Sequence, residues 1–425
     1  MIDFARRMLP DRSPVRLAYH KTKALLAAIR YGFPARRLIV TGITGTDGKT
    51  TTTAMLTHIL LTSGMRVGSA STAFMQINEK QFENATHLTS IGPFQLQKFL
   101  RHLVNERCTH VVVEASSHGL SQGRNDWMFP SVAGITNTAL EHLDYHGTMD
   151  QYRRDKAILF RMLRGSGTKV LNRQDATYAT YASIPSAKTI TFGSPPAELY
   201  LSDVSADPQS CGATLHTPNG AHQLALPVPG IHNLQNALCA ISCAAALGVR
   251  FADAAKSLGS FRGVPGRMER IDGGQKFSVF VDFAVSPQSY EKTLEAVRKM
   301  IQPDKKVLVL CGSCGNRMRE KRPEIGKICS RLADIVAVTE DETYGEDPKI
   351  PWEEVWAGVD TSACEAHKIF DRREAIAFLL KSAQPGDAVL LCGMGPFTTF
   401  TKLSGRIPWD ERQVAREELR KIAGA

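Results

Sequence analysis

Two rhythms of apolar and polar positions organise most of the chain. From residue 38 onward, short apolar runs that end in glycine or polar residues are separated by longer segments whose apolar positions recur every three or four residues. The pattern predicts strands at 38–42, 109–115, 132–137 and 168–171, and helices at 50–63, 93–106 and 150–164. Such alternation builds a parallel sheet covered by helices. Over 186–228 the period drops to two, as in Ala213-Thr-Leu-His-Thr217 and His222-Gln-Leu-Ala-Leu226, which predicts antiparallel strands at the sheet's edge, and a helix pair over 233–260 follows. Arg262-Gly-Val-Pro-Gly-Arg267 carries two glycines and a proline and reads as a linker. Beyond it, strands are expected at 277–283, 306–311, 335–339 and 388–392, with helices at 289–300, 323–332, 374–382 and 412–422. Ahead of it all, residues 1–37 read as a basic leader with one amphipathic helix over 14–31, stopped by Gly32 and Pro34. The expected fold is α/β, with a central P-loop-type ATPase domain on a mainly parallel sheet (38–261) and a C-terminal Rossmann-like domain (262–425).

Composition narrows the class. A chain of 425 residues with 43% hydrophobic residues can bury a large core, and no apolar run is long enough to span a bilayer. No cleavable signal pattern opens the sequence, so a cytoplasmic location is expected. Nine scattered cysteines fit a reducing compartment better than a disulfide framework, and Cys311-Gly-Ser-Cys314 is a lone CxxC without a second pair. The net charge of +10 calls for anionic partners. The basic residues are dispersed and aromatic residues make up only 7%, which argues against nucleic acid and for phosphorylated small molecules.

The richest chemistry follows the first apolar strand, in Gly42-Ile-Thr-Gly-Thr-Asp-Gly-Lys-Thr-Thr-Thr-Thr53. Glycines 42, 45 and 48 let the backbone approach phosphate oxygens, Lys49 offers a point charge, and the Thr50 hydroxyl can ligate Mg²⁺. The spacing is GxxGxxGKT rather than GxxxxGK[ST], because Ile43 stands where that motif has its first glycine. A ligand-free strand-to-helix turn is the competing reading, and the apolar strand before the turn and the proline-free helix after it favour the phosphate loop. Glu114 at a strand's carboxyl end, in Glu114-Ala-Ser-Ser-His-Gly119, can bind Mg²⁺ next to phosphates, although alone it would read as a strand cap. A further polar cluster, Asn137-Thr-Ala-Leu-Glu-His-Leu-Asp-Tyr-His-Gly147, follows the next strand.

These segments, together with Lys156, Pro229-Gly-Ile-His-Asn-Leu-Gln-Asn236, Val264-Pro-Gly-Arg-Met-Glu269 and Asp371-Arg-Arg-Glu-Ala-Ile376, run in one order over residues 38–425. In that order they resemble the Mur ligases, ATP-dependent amino-acid ligases of peptidoglycan precursor synthesis, and most of all the tripeptide-synthetase branch. The resemblance implies ATP and two Mg²⁺ ions. Gly45, Thr46, Asp47, Gly48, Lys49, Thr50, Thr51, Asn137, Asn233, Asn236, Arg267, Asp282 and Arg317 would contact the nucleotide, with Asp282 on the ribose. It makes Lys49, Glu114, His142 and Lys156 the catalytic set, and Thr50, Glu114, His142 and Lys156 the metal set. Lys156 would carry a CO₂-derived carbamate, which turns a cation that repels the metal into an anion that binds it. The residue-level alternatives are a helix-surface lysine paired with Asp155 or Glu141, and a capping role for Asn233. Thr89, Ser90, Ser116, Gln122 and Arg124 would face a muramoyl peptide acceptor, and Asp341 and Tyr344 the incoming amino acid.

The chain departs from the family at several positions. Family members carry a uridine-nucleotide domain of about a hundred residues, the ordinary scale of a domain, where only 37 residues precede the ATP strand here. Asp341-Glu-Thr-Tyr344 stands for Asp-Asn-Pro-Arg, so tyrosine replaces the arginine that grips diaminopimelate. Gly393-Met-Gly-Pro-Phe397 stands for Gly-Lys-Gly-His-Glu, Asp282-Phe-Ala-Val285 for Asp-Tyr-Ala-His, and Glu141 for an aspartate. The expected activity is amide-bond formation through an acyl phosphate on a muramoyl peptide, by a monomer acting on small molecules. A folylpolyglutamate-type ligase and a nucleotide-binding scaffold without turnover are the alternatives.

Overall fold

The computed structural model describes residues 12–84, 86–139, 141–207, 209–316 and 318–423. The chain divides into two compact units, Met1–Ser205 with Cys211–Arg262, and Ala206–Ser210 with Gly263–Ala425. Both are mixed α/β.

The first unit is built on an 11-stranded sheet. In chain order its strands are β1 (Ile39–Thr44), β2 (Val67–Ala70), β3 (Phe74–Ile77), β4 (Lys80–Glu83), β5 (His110–Glu114), β6 (Val132–Ile135), β7 (Thr168–Asn172), β8 (Lys188–Gly193), β9 (Leu199–Ala206), β10 (Cys211–Thr217) and β11 (Gly220–Leu226). They lie in the order β11-β10-β9-β8-β7-β6-β1-β5-β2-β3-β4. β1 is central and parallel to both β5 and β6, with Ile43 beside Glu114 and Thr44 beside Ile135. The chain leaves β1 toward β2 on one side and returns to β6 on the other, so the strand order reverses at the carboxyl end of β1. Ligands of open α/β sheets bind at such a crevice.

Helix Lys49–Thr62 is buried on most of its surface, including Thr50, Thr52, Thr53 and Thr57, because it is wedged between the sheet and helix His232–Ala246. Helix Pro14–Arg30 starts at Ser13, whose Oγ accepts from the Arg16 amide at 3.3 Å, and it buries Ala24, Ala27 and Ala28. It packs on helix Pro93–Asn105, from which Arg101 donates through Nε to the Tyr31 carbonyl at 2.9 Å.

Two expectations need correction. The stretch 186–228 is not wholly antiparallel: β8 pairs parallel to β7 and to β9, and antiparallel pairing joins β10 to β11. Period-two alternation reports which face a residue takes and is blind to the direction of the neighbouring strand. β2, β3 and β4 were not expected either, since β2 is the small-residue stretch Val-Gly-Ser-Ala and β4 is exposed throughout, leaving little apolar contrast to read.

The second unit carries β12 (Glu269–Arg270), β13 (Ser278–Asp282), β14 (Val307–Cys311), β15 (Ile335–Val338), β16 (Glu365–Lys368) and β17 (Ala388–Cys392), ordered β12-β13-β17-β14-β15-β16. All neighbours are parallel except β12 with β13. The central strands β14 and β17 are buried along their whole length, as continuous apolar runs in a sheet covered on both faces should be. A separate hairpin, β18 (Thr399–Lys402) and β19 (Gly405–Pro408), follows. The short polar β16 and this hairpin lacked the apolar contrast that marks the central strands.

Candidate active site

The loop after β1 takes its shape from backbone. Gly45 (φ 143°) and Gly48 (φ 77°) occupy conformations that side chains disfavour. A Cβ at Gly45 would stand 1.9 Å from Thr136 Oγ1, and one at Gly48 would stand 2.0 Å from Asn236 Oδ1. The loop is tied to the segment after β6: the Thr46 amide donates to the Asn137 carbonyl at 2.8 Å, the Asp47 amide to Asn137 Oδ1 at 3.1 Å, and Thr136 Oγ1 to the Asp47 carbonyl at 2.6 Å. Lys49 Nζ folds back onto the Thr46 carbonyl at 2.7 Å. Gly48 caps helix Lys49–Thr62 without a side chain, so the first-turn amides, including those of Thr50 and Thr51, stay at an anion-attracting helix end.

Glu114, at the carboxyl end of β5, is almost fully buried and is held by hydroxyls and an amide. Thr50 Oγ1 donates to its two oxygens at 3.1 and 3.0 Å, the Thr72 amide donates at 2.7 Å, and Thr72 Oγ1 lies 3.0 Å from Oε1. A carboxylate with a threonine hydroxyl beside a glycine cradle is a suitable donor set for Mg²⁺, which keeps waters and phosphate oxygens in its shell. Among the described residues no three His, Cys, Asp or Glu side chains form a protein-only metal cage.

Lys156 lies on helix Met149–Arg161 and is buried, so the surface-lysine alternative fails. Its Nζ donates to the Gly45 carbonyl at 2.5 Å and sits 4.3 Å from the Tyr152 ring centroid. Burial first, and then the nearby Lys49 charge, push its pKa well below that of an ordinary lysine, which favours the neutral amine. Tyr152 shares a hydrogen bond with Thr46 Oγ1 at 3.0 Å. Asn233 and Asn236, on helix His232–Ala246, are coupled by an Nδ2-to-Oδ1 bond of 3.1 Å, and Asn233 also donates to the Pro229 carbonyl at 2.7 Å.

His142 stands in a left-handed conformation before the short helix Leu143–His146, its Nε2 3.6 Å from Glu141 Oε2 and its ring 4.8 Å from that of His118. The residues expected on the acceptor side form a connected network. Ser116 donates its amide to Ser90 Oγ at 2.9 Å, and Arg124 donates to the Ser90 carbonyl at 3.0 Å and to Gln122 Oε1 at 2.6 Å. Gln122 Nε2 donates to the Tyr145 hydroxyl at 3.2 Å, and Thr89 accepts from Thr72 at 3.1 Å. Sequence reasoning passed over Thr72, Tyr145, His146 and Tyr152, and it weighed Asp155 solely as a partner for Lys156. Tyr145 and His146 fall inside a segment that was singled out. Thr72 joins the site through tertiary pairing of β2 with β5. Asp155 is paired with His146 rather than Lys156. Burial raises its pKa, yet hydrogen bonds from His146, Arg12 and Gln151 hold the carboxyl below its ordinary range.

In the second unit, Asp282 ends β13 and accepts from the Met268 amide at 2.8 Å; burial raises its pKa against the nearby Arg267. Arg267 stacks its guanidinium 4.8 Å from the Phe283 ring centroid. Asp341 and Tyr344 follow β15. Asp341 Oδ1 accepts from the Glu342 amide at 2.7 Å, and the Tyr344 hydroxyl donates to Glu342, which also accepts from Thr401 Oγ1 at 2.7 Å. Arg317 lies outside the described residues.

Known proteins resemble this chain in sequence and fold. The Mur ligase middle domain matches residues 43–244, and the Mur ligase, glutamate ligase domain matches residues 266–395. Over 428 residues the chain is 34% identical to the UDP-N-acetylmuramoyl-L-alanyl-D-glutamate--2,6-diaminopimelate ligase of Bacillus licheniformis, spanning 98% of this chain and 86% of that one. A solved structure of a ligase of the same name superposes with a TM-score of 0.66 at 26% identity, covering 96% of this chain and 83% of the other. FolC of E. coli superposes with a TM-score of 0.71 at 19% identity over 98% and 99% of the two chains, a likeness of fold. With both domain patterns in order and a third of its residues shared with such a relative across nearly its whole length, the chain belongs to the Mur ligase family.

Proposed function

We propose that this ATP-dependent ligase joins an amino acid to the terminal carboxylate of a muramoyl peptide in peptidoglycan precursor synthesis, through an acyl phosphate. The observation that carries the reading is the burial of Lys156 against the phosphate loop, where the lysine cannot remain an ordinary surface cation. A neutral amine there adds to CO₂, forming an N–C bond and releasing a proton, and the resulting carbamate is an anion that would hold a second Mg²⁺ with His142. Thr50 and Glu114 would hold the first. Bound ATP supplies the γ-phosphoryl group, and Mg²⁺ neutralises its oxygens.

The chain's own residues do the rest. Lys49 and the first-turn amides orient the phosphates, and Asn137, Asn233 and Asn236 steady the loop beneath them. The Ser90–Ser116–Gln122–Arg124 network positions the acceptor carboxylate for in-line attack, after which the amino group displaces phosphate. Tyr344 hydrogen-bonds to Glu342 where an arginine would meet a second carboxylate, so lysine, a smaller amino acid or an unusual nucleophile is preferred over diaminopimelate. We place the reaction in the cytoplasm, in keeping with nine free cysteines, and expect a monomer.

The test is mass-detected incorporation from a panel of amino acids into nucleotide-linked and lipid-linked muramoyl-L-alanyl-D-glutamate, as one acceptor class, with pteroylglutamate as the rival. ADP release with a muramoyl acceptor is expected. Release with pteroylglutamate alone would move the chain to the folate-type reading, and release with neither would leave a scaffold.

A further inference from the structure

Arg12 precedes the amphipathic helix in sequence, and its side chain reaches the short helix Leu143–His146 and Asp155 on helix Met149–Arg161. Its Nη1 donates to Asp155 Oδ2 at 2.5 Å and its Nη2 to Asp155 Oδ1 at 3.2 Å, a two-pronged pairing with a nearly buried carboxylate. Gln151 adds a third donor to Asp155 at 2.9 Å. The same carboxylate accepts from His146 Nδ1 at 2.6 Å, which turns His146 Nε2 toward Ser117 Oγ at 3.0 Å. The guanidinium also lies 5.4 Å from the ring centroid of Tyr145, whose hydroxyl meets Ser121 Oγ at 3.1 Å and Gln122 Nε2 at 3.2 Å.

Arg12, Asp155 and His146 therefore fasten the carboxyl end of a short helix whose other end is flanked by His142. Through Ser117 and Tyr145 they reach the helix Ser117–Ser121 and the Gln122–Arg124 pair. A buried carboxylate stripped of its cation becomes an uncompensated charge, and a conformation as tight as that of 141–148, with positive φ at His142 and Gly147, persists only where its surroundings hold it.

The geometry points to Arg12 as a positioning residue for the acceptor side of the site, acting through Asp155 and His146 to hold the segment 141–148. The leader thereby contributes to the ligase reaction itself. This rests on the acceptor reading above for its kinetic arm, whereas its structural arm stands without any substrate.

Full-length protein carrying R12A, R12K, D155A and R12A/D155A tests it. Amide hydrogen exchange on the ligand-free proteins should quicken by about tenfold or more across 141–148 and 117–122 in R12A, with 45–53 unchanged. It should quicken less in R12K, which keeps the charge and loses the fork. In a D155A background, R12A should add nothing. With UDP-N-acetylmuramoyl-L-alanyl-D-glutamate, R12A should raise the acceptor KM by about tenfold or more while the ATP KM stays within twofold. Unchanged exchange in R12A, or independent multiplication of the two substitutions, would overturn the clamp. Faster exchange with an unaltered acceptor KM would overturn the positioning role. If the wild type turns over neither this acceptor nor its lipid-linked form, the acceptor reading falls, and the exchange data still decide the clamp.

Discussion

The carboxyl ends of two parallel sheets make sites in this molecule by different means. After β1, polar groups are arranged by backbone: glycines at positive φ, a helix end capped without a side chain, and a lysine folded over a carbonyl. Such a site offers an anion a helix end and a backbone cradle rather than a set of paired side chains. After β15, the polar groups are buried and half-buried side chains already paired with one another. Arg372 is buried and donates to Glu411 at 2.6 and 3.0 Å and to the Glu340 carbonyl at 3.1 Å. Lys402 donates to Glu340 at 2.8 Å, and Thr401 and Tyr344 both donate to Glu342. In the proposed reaction the first edge would bind a constant partner, ATP, through a loop that has no room for a Cβ at Gly45 or Gly48. The second is a self-paired network, in which one substitution would change what is left over for the amino acid of the proposed reaction.

The largest expected effect separates the two edges by kind of loss. Lys156→Ala should lower kcat by roughly 10²–10³-fold, the scale of losing one preorganised charge, with melting little changed and partial recovery on adding short carboxylic acids. Arg372→Ala should do the reverse, costing about 3–5 kcal/mol of stability because Glu411 is left buried and unpaired, read as a lower denaturant midpoint. Equal losses of activity and stability in both variants would erase the contrast.

Next in size is Gly48→Ala. A left-handed alanine costs about 1–2 kcal/mol, and its Cβ meets Asn236, so the ATP KM should rise by about tenfold or more. Gly48→Ala with Asn236→Ala relieves the collision and keeps the strain. Full recovery in the double variant would show that the side chain, and not the backbone, sets the loop.

Tyr344→Arg should shift the ratio of kcat/KM toward diaminopimelate by about tenfold, the scale of one gained charged hydrogen bond. An unchanged ranking of amino acids would remove Tyr344 from the specificity argument.

The smallest effect belongs to Glu346, whose carboxyl is held below its usual range by hydrogen bonding to the buried Arg322. A depressed carboxyl supports the fold above its unfolded pKa and loses that support as pH falls through the folded one. Glu346→Gln should therefore cost about 1–2 kcal/mol at neutral pH, and the gap to wild type should close on acidification below the ordinary glutamate range. A gap that widens with acid would reverse the assignment.

Legibility in the sequence followed the same divide. The loop, β1 and the helix after it could be read because glycine spacing and apolar runs encode backbone shape locally. Glu114 was readable as a carboxylate ending a strand, whereas its partner Thr72 lies just past β2, a small-residue strand with no apolar contrast, and is brought to Glu114 by the pairing of β2 with β5. The acceptor-side network reads as scattered serines, a glutamine and an arginine, and becomes one network through Ser90 and Arg124, which Tyr145 extends from Gln122.

By itself the sequence determined the α/β class, the glycine-rich turn after β1 and the family, since each rests on local periodicity or on a motif in fixed order. Tertiary structure alone decided that Lys156 is buried under the loop, that Asp155 turns from Lys156 to Arg12 and His146, and that β8 and β9 run parallel. The reason is physical: burial, charge pairing and strand direction are relations between residues far apart in the chain, and a pattern read along the chain contains only what neighbours impose on one another.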